Sequence, residues 1–481
     1  MWSRVLRFSV SAAALLVGAG AAQGADIDPA LAERMRSNLP GRPLPVIVHL
    51  RAQLAAGSRP DAGAATGAAT GAAPGARILA ALTAHARATQ ASLLDALSQQ
   101  RAQQVQPLVL PNAVAAQLTA ADIRSLAARP DVTRIEYDLT LTAPVGRASA
   151  AAANCQTGRA SPRTRMQHGC QPYDSTVALQ PGVAFDIAAP VAPHVAHSGA
   201  PAAWRAGVTG RGVTVAVVDS GLDAASASIA ASLRTGPGGW FDAHGQHARP
   251  TDLHGHGTQI ASLITGTHAG GATLGSAPQV RLIGARIYND EHRARLSDVH
   301  RALAWLLDPD GDPATDDAPQ IVLNAWGLTD RVGQCDTGFS HDIAWLRAAG
   351  MHVVFAAGNS GPGEGTSLSP ANNSGALAVG ASDATGAPAR FSSRGPSACD
   401  ARPYPDVAMQ GMDLRVADRS AGGLSSFATV DGSSFAAALA AAQLALIVQA
   451  RPDATLAERE ALLTTAQRQA GGIASALAAQ R

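Results

Sequence analysis

The chain has few charged residues, and their charges nearly cancel. Only 15% of the 481 residues are charged, and 37 basic against 36 acidic side chains leave a formal net charge of +1. This balance gives no electrostatic reason to expect binding to nucleic acid or to a membrane surface. Because 46% of the residues are hydrophobic, a chain of this length can bury a large core.

Cysteine is also scarce. The four cysteines are Cys155, Cys170, Cys335 and Cys399, and their spacing matches no zinc motif. An even number fits an oxidising compartment and allows three pairings. We expect Cys155 to pair with Cys170, because both lie in one polar loop, and Cys335 to pair with Cys399. Free thiols and the other pairings stay open as alternatives.

The N-terminus has no apolar run long enough to span a bilayer. The short run Ala12–Val17 follows two arginines and precedes the small residues Ala22-Gln23-Gly24. This order is typical of a signal peptide, which we place at residues 1–24. A membrane anchor is the alternative, but the run is short and no second span follows. We therefore expect a secreted or periplasmic protein without a membrane anchor.

Three polar residues stand at the ends of apolar elements. Asp219 ends the apolar strand Val213–Val218, His256 opens an amphipathic helix, and Ser434 opens a long apolar helix. A serine hydroxyl is a poor nucleophile near neutral pH, so an imidazole must take its proton. A carboxylate at a rigid strand end can hold one tautomer of that ring. A helix N-terminus also favours the oxyanion that forms.

Each of these residues has an ordinary structural explanation as well. Asp219 could be a cap or turn residue, and His256 a loop histidine between glycines. Ser434 could be a helix N-cap, and Asn359, which precedes Ser360-Gly361-Pro362, a turn residue. Their joint occurrence in one chain favours the functional interpretation.

The chain order Asp, His, Ser distinguishes this arrangement from the same chemistry on other folds. With the segments Ala356–Asn359 and Gly432–Ala436, the sequence resembles the subtilisin-like serine proteases, peptidase family S8. The resemblance implies a secreted serine endopeptidase that hydrolyses polypeptides through an acyl-enzyme. The implied catalytic residues are Asp219, His256 and Ser434, with oxyanion donors from the Asn359 amide and the Ser434 N–H. It implies a monomer that requires no cofactor for the chemistry.

Several residues depart from the family pattern. Where the family usually has Met, Pro and His after the serine, this chain has Phe435, Ala438 and Leu439. Gln259 replaces a common second histidine, and Ser262 replaces a usual glycine. These departures affect the expected shape of the substrate cleft. They keep open one alternative, a catalytically silent subtilisin-like binding protein. An α/β-hydrolase esterase is less favoured, because Gly432–Ala436 lacks the final glycine of that family's nucleophile elbow.

Residues 191–481 alternate apolar strands with helical patterns. This predicts an α/β fold, and the resemblance specifies the subtilisin-like three-layer fold with a mostly parallel sheet. Ligands on such sheets bind beyond the carboxyl ends of the strands, where Asp219 and Asn359 both fall. A capping box at Thr455–Glu458 announces a last helix, and we expect no further domain beyond Gly471.

Residues 25–142 read as a small α+β domain of ferredoxin-like type. The pattern predicts a strand at Val46–Val48, a helix from Arg77 to Leu97, a helix capped by Thr119 and a strand at Val132–Tyr137. This order resembles the propeptide of subtilisin-like proteases. The resemblance implies a zymogen whose propeptide assists folding and inhibits the enzyme until a cut after Leu141. Gly-Ala-Ala repeats from Gly63 form a low-complexity insert, and residues 143–190 read as a linker and N-terminal extension.

An acidic run offers a candidate metal site. It consists of Asp308, Asp310 and Asp312, with Asp316 and Asp317 nearby. Such side chains present the hard oxygen ligands that Ca²⁺ prefers. The glycine comes too early for an EF-hand loop, and the bidentate glutamate is missing. A solvated loop is therefore the favoured interpretation, with a structural calcium ion as the alternative.

Overall fold

The computed structural model describes residues 24–56, 71–144, 184–267, 271–418, 427–468 and 472–478. Almost all of the predicted signal peptide lies outside these ranges. So do the repeats that begin at Gly63 and Gly67, the predicted Cys155–Cys170 pair and most of the 143–190 linker.

Residues 26–137 form an α+β unit, called the N-terminal unit below. Its elements are β1 (Asp26–Ile27), α1 (Pro29–Ser37), β2 (Leu44–Leu50), α2 (Pro74–Gln99), β3 (Gln103–Leu108), β4 (Ala113–Leu118), α3 (Ala120–Ala127) and β5 (Val132–Tyr137). The strand order is β1-β5-β2-β4-β3; β1 pairs parallel with β5, and the other pairs are antiparallel. From β2 to β5 the elements follow the β-α-β-β-α-β order of a ferredoxin-like fold.

The predicted elements of this unit lie inside the observed ones. Thr119 caps α3 in a capping box, because its hydroxyl accepts from the N–H of Asp122 while the Asp122 carboxylate accepts from the N–H of Thr119. The short helix α1 and the strands β1, β3 and β4 were not predicted. Strand β4 reads Ala-Val-Ala-Ala-Gln-Leu, and its alanines are weak strand formers.

The remaining elements follow in chain order. They are β6 (Thr140–Thr142), α4 (Pro193–His197), α5 (Ala200–Arg205), β7 (Thr214–Asp219), β8 (Trp240–Asp242), α6 (His256–Thr265), β9 (Arg281–Arg286), β10 (Arg293–Arg295), α7 (Leu296–Trp305), β11 (Ile321–Asn324), α8 (Ser340–Ala348), β12 (His352–Ala356), β13 (Leu377–Ser382), β14 (Val407–Gln410), β15 (Leu414–Ala417), β16 (Phe427–Val430), α9 (Ser433–Ala450), α10 (Leu456–Arg468) and α11 (Gly472–Ala478).

A seven-stranded sheet in the order β14-β13-β12-β11-β7-β9-β8 forms the centre of the molecule. All of its strand pairs are parallel, which confirms the predicted α/β fold. Side chains of β7 alternate between two cores: Val215 and Val217 pack with α6 and α9, whereas Ala216 and Val218 pack with α7 and α8. Because both faces of the sheet are covered, functional groups can reach solvent only at its edges.

Helix α9 passes through one of these cores. It is the one described helix long and apolar enough to cross a membrane, with a mean hydropathy of 1.6, but 89% of it is buried inside the fold. Alanines at 436, 437 and 438 have no exposed surface, and their small side chains let the helix lie close to the sheet. This burial explains the apolar composition of α9 without a lipid contact.

The sheet of the N-terminal unit also has two buried faces. Val46 and Val48 of β2 pack in the unit's own core, against α2 and α3. Ile47 points the other way and joins the core that contains α7 and α8. At Gly75 a Cβ atom would lie 2.1 Å from the backbone carbonyl oxygen of Leu307, so the backbones of the two parts of the chain are in close contact there. The N-terminal unit therefore lies against the helices α7 and α8.

One disulfide joins Cys335 to Cys399, as predicted. It closes a segment 64 residues long that contains β12 and β13. By restricting the unfolded chain, a crosslink over such a loop stabilises the fold by roughly 2–4 kcal/mol.

Candidate active site

Asp219 is the last residue of β7, at the carboxyl edge of the sheet. Its side chain is fully buried (0% exposed), and its Oδ1 lies 2.8 Å from Nδ1 of His256. The N–H of Ser220 donates to the same oxygen over 2.7 Å. A carboxylate in this position favours a proton on Nδ1 and leaves Nε2 of the ring free to accept one.

His256 is the first residue of α6 and is 2% exposed. The residue after it, Gly257, touches the segment that follows β7, since a Cβ on Gly257 would lie 2.1 Å from the carbonyl oxygen of Gly221. Gly221 has a φ of +125°, and its own Cβ would lie 1.9 Å from the carbonyl oxygen of Thr251. Only glycine tolerates both conditions. These contacts bring the start of α6 next to the end of β7.

The pKa of His256 is raised above its ordinary value. Burial of the ring acts to lower the pKa, but the charge of Asp219, the hydrogen bond with it and the charge of Asp252 outweigh the burial. The neighbouring His254 behaves differently, because burial and the charge of His256 lower its pKa to about 4. The pKa values of the two imidazoles are therefore shifted in opposite directions. His256 is the one suited to take up a proton near neutral pH.

Asp252 is a buried carboxylate beside this pair that was not predicted from the sequence. Its oxygens accept five hydrogen bonds, from Ser220 Oγ (3.0 Å), His254 N (3.1 Å), Gly255 N (2.7 Å), Thr258 N (2.9 Å) and Thr258 Oγ1 (2.7 Å). The hydroxyl of Ser220 also accepts from the N–H of Gly257 over 3.0 Å. Asp252 thus connects the residue after Asp219 to the first turn of α6.

Ser434 lies in the first turn of α9 and is 6% exposed. Its hydroxyl donates to the carbonyl oxygen of Ala325 over 3.1 Å, just beyond the end of β11. The ring of the next residue, Phe435, packs against His256 with 5.6 Å between ring centroids. The first turn of α9, which carries Ser434, therefore lies against His256, although 178 positions separate the two residues in the chain.

Asn359 follows β12, and its loop is held against the start of α9. Its Oδ1 accepts from the N–H of Ser433 over 2.9 Å, and the hydroxyl of Ser433 accepts from the N–H of Gly358 over 3.1 Å. The Nδ2 atom of the same amide lies 3.8 Å from the position that a Cβ on Gly432 would take, at the start of α9. All four residues predicted as the site thus come together at one edge of the sheet.

The departures from the family pattern pack into this framework. The amide of Gln259 donates to Asp418 over 3.1 Å. The hydroxyl of Ser262 donates to the carbonyl of Gln259 over 2.7 Å and accepts from the N–H of Ala417 over 3.0 Å. These bonds attach α6 to the segment that ends β15. Ala438, where a proline is usual, is buried inside α9.

The acidic run brings three carboxylates together, away from these residues. Oxygens of Asp308, Asp310 and Asp317 lie within 4.8 Å of one another. Burial and the charge of Asp310 raise the pKa of Asp317 to about 6. Arg234 already donates to Asp317 over 3.3 Å, which supplies positive charge to the cluster.

The sequence was compared with models of protein families and with known proteins. The model of the subtilase family matches residues 210–478, a range that contains all four candidate site residues. The chain belongs to the subtilase family. Serine protease AprX of Bacillus subtilis is 30% identical over 283 residues, which is 53% of this subtilase and 61% of AprX. Bacillopeptidase F of the same organism is 29% identical over 284 residues, 55% of this chain and 19% of the relative.

A solved structure titled as proteases from Pseudoalteromonas arctica PAMC 21717 is 24% identical, covers 59% of this subtilase and 94% of its own chain, and has a TM-score of 0.48. The matched region spans 61% of AprX and 19% of bacillopeptidase F, which is less than two thirds of either relative.

Proposed function

We propose that this subtilase is a secreted serine endopeptidase that hydrolyses polypeptides through an acyl-enzyme. The observation that carries the proposal is the buried pair of Asp219 and His256, with 2.8 Å between Oδ1 and Nδ1. The first turn of α9, which carries Ser434, packs against this pair through the ring of Phe435. Nucleophilic acyl transfer requires a carboxylate, an imidazole and a hydroxyl arranged in this order.

In the proposed mechanism, Ser434 attacks the carbonyl carbon of the scissile bond while Nε2 of His256 takes the hydroxyl proton. The hydroxyl first turns away from the carbonyl oxygen of Ala325. His256 then gives the proton to the leaving amine, and the acyl-enzyme remains on Ser434. Water repeats the attack with His256 again as the base, while Asp219 stabilises the imidazolium in both steps.

The oxyanion of each tetrahedral intermediate needs donors that are already in place. We assign this role to the Asn359 amide and the Ser434 N–H at the start of α9. The hydrogen bond from Ser433 to Asn359 Oδ1 fixes the amide, so little reorganisation is needed when charge develops. Losing one such donor typically lowers kcat about 10²–10³-fold.

We also propose that residues 25–142 are a propeptide that inhibits the enzyme. The support comes from β6, which pairs antiparallel with β10 beside the site. After it, the N–H of Ala143 donates to the carbonyl of His292 over 2.9 Å. The ring of His292 lies 5.0 Å from that of His254, which lies 6.3 Å from that of His256. The tail of the N-terminal unit therefore runs toward the proposed base.

A second contact fastens this unit to the rest of the protein. Asp138, between β5 and β6, accepts from the N–H of Ser297 over 3.0 Å and from its hydroxyl over 2.7 Å. Ser297 is the second residue of α7, so Asp138 caps that helix from outside it. A carboxylate at a helix N-terminus also interacts favourably with the helix dipole.

The proposed chemistry needs no cofactor, so any calcium ion bound by the protein would be structural. Export is proposed from the signal-like residues 1–24 and fits the Cys335–Cys399 disulfide, since such bonds persist in oxidising compartments. We propose polypeptides as the substrates and a monomer as the active form.

The test is the substitution Ser434→Ala. It should abolish both proteolysis and self-processing while the protein still folds, because it removes one hydroxyl and empties little volume. Mass spectrometry of the peptides released from a denatured protein mixture measures proteolysis. The length of the purified chain shows whether self-processing has taken place. The matched control Ser433→Ala keeps the nucleophile and should still release peptides. Wild-type proteolysis by Ser434→Ala would overturn the assignment.

A further inference from the structure

Strand β10 has one partner strand among the described residues. It pairs with β6 in a two-stranded antiparallel sheet that is separate from the seven-stranded one. If β6 leaves with the N-terminal unit, the edge of β10 becomes open. An open edge of this kind binds an extended peptide through main-chain hydrogen bonds, and its side chains then determine which peptide is preferred.

The register of β6 identifies those side chains. Leu141 lies opposite Ala294, and both are buried in the core that contains α7. Thr142 lies opposite Arg293, and both are exposed. Directly opposite residues in an antiparallel pair point to the same face. A peptide in the place of β6 would thus bury the residue at the Leu141 position and present the next one to Arg293.

Arg293 is available for such a contact. Within the part of the chain that the structure describes, its guanidinium makes no hydrogen bond or ion pair, and Glu291 in the same hairpin is the nearest acidic residue in sequence. Arg295 donates to Gln104 of β3 over 3.2 Å, a bond that is lost with the N-terminal unit, but Arg295 lies opposite Thr140 and not opposite Thr142. The tail itself offers Arg293 only the neutral Thr142.

We propose that Arg293 makes this subtilase prefer peptides in which an acidic residue directly follows an aliphatic one. The inference rests on the proposed peptidase function and adds a substrate class to it. The aliphatic residue replaces Leu141 in its buried position, and the acidic residue pairs with the guanidinium at the surface. An exposed pair of this kind gives a modest preference that salt should screen.

The test uses the self-processed protein and three internally quenched peptides. They share one sequence, taken from a peptide that the protein cleaves, with leucine and alanine in the Leu141 and Ala143 positions. The residue between these two is aspartate, asparagine or lysine. The expected kcat/KM is about two- to fivefold higher for aspartate than for asparagine and lowest for lysine, and the differences should shrink at about 1 M salt.

The variant Arg293→Glu should reverse this order, so that lysine is preferred to aspartate. The control Arg211→Glu makes the same charge change before β7, at the opposite end of the sheet, and should keep the wild-type order. Equal kcat/KM for the three peptides, or an unchanged order in Arg293→Glu, would overturn the inference while leaving the peptidase function intact. If the self-processed protein released no peptide from any protein substrate, so that no parent peptide could be chosen, the proposed function would be overturned and this inference with it.

Discussion

At the scale of single residues, Asp252 explains why Asp219 and His256 meet in one geometry. Two backbone segments that are distant in the chain converge there, and each needs its polar groups satisfied in a buried place. Asp252 accepts from both segments, through Ser220 on one side and Thr258 on the other. We therefore regard Asp252 as a positioning residue that acts through His256.

This role predicts the behaviour of Asp252→Asn. The NH2 group would take the place of one oxygen and oppose either the donors on Oδ1, which include Ser220, or those of Thr258 on Oδ2. The ring should therefore lose its alignment, and kcat/KM should fall by up to about 100-fold. His256 acts as a base only when neutral, so activity rises with pH through its raised pKa. Loss of the Asp252 charge should move this rise to lower pH, as the pH profile of kcat/KM would record.

The control for this variant is Asp406→Asn. Asp406 precedes β14, at the end of the sheet opposite the site, and its carboxylate accepts from Ala378 and Arg402. This change should leave the pH profile where it is. If Asp252→Asn also left the profile unmoved, its effect would be one of stability alone.

The residues that could be predicted from the sequence are those with a chemical signature. Asp219, His256, Ser434 and Asn359 each stand in a short motif at an element end, and their order in the chain links them. Asp252 has a weaker signal, an acidic residue shortly before a helix that starts after glycine. Its five hydrogen bonds depend on the approach of Gly257 to Gly221, which the sequence does not reveal.

At the scale of elements, the docking of the N-terminal unit depends on the start of α7. Asp138→Ala would remove both hydrogen bonds to Ser297, so that the carboxylate of Asp298, which accepts from the N–H of Arg295 over 3.3 Å, would remain in the first turn of that helix. Removing a cap costs about 1–2 kcal/mol, which corresponds to about 5- to 30-fold weaker binding of the unit. Activity after dilution of the self-processed protein should therefore appear sooner in Asp138→Ala than in the wild type.

Asp95→Ala is the matched control, since Asp95 is an exposed carboxylate on α2. This variant should release activity at the wild-type rate. Equal rates in all three proteins would mean that Asp138 does not hold the unit in place.

Long, strongly patterned elements were predictable and short paired strands were not. The helices α2, α7 and α9 have an apolar face or an apolar length that the sequence displays. Strands β6 and β10 have three residues each, and their pairing joins parts of the chain more than 150 residues apart. No local pattern specifies such a contact, so the path of the tail became visible only in the structure.

At the scale of the whole molecule, the parallel sheet has one hydrophobic core on each face. The carboxyl edge of the sheet is therefore left open for the proposed active site. The sheet could be predicted because its strands and helices alternate along the chain. The double-sided burial of the N-terminal sheet could not, since Ile47 and its neighbours Val46 and Val48 look alike in sequence but pack in different cores. That arrangement makes the N-terminal unit part of the core around α7 and α8.

The most direct test of the central claim is covalent labelling with a fluorophosphonate probe, which reacts with a serine only when a neighbouring base activates it. We expect one label on the self-processed protein, located at Ser434 by peptide mass spectrometry, and none on His256→Ala. A protein that folds and binds polypeptides but takes no label would be the catalytically silent alternative, and a label on another serine would contradict the proposed site.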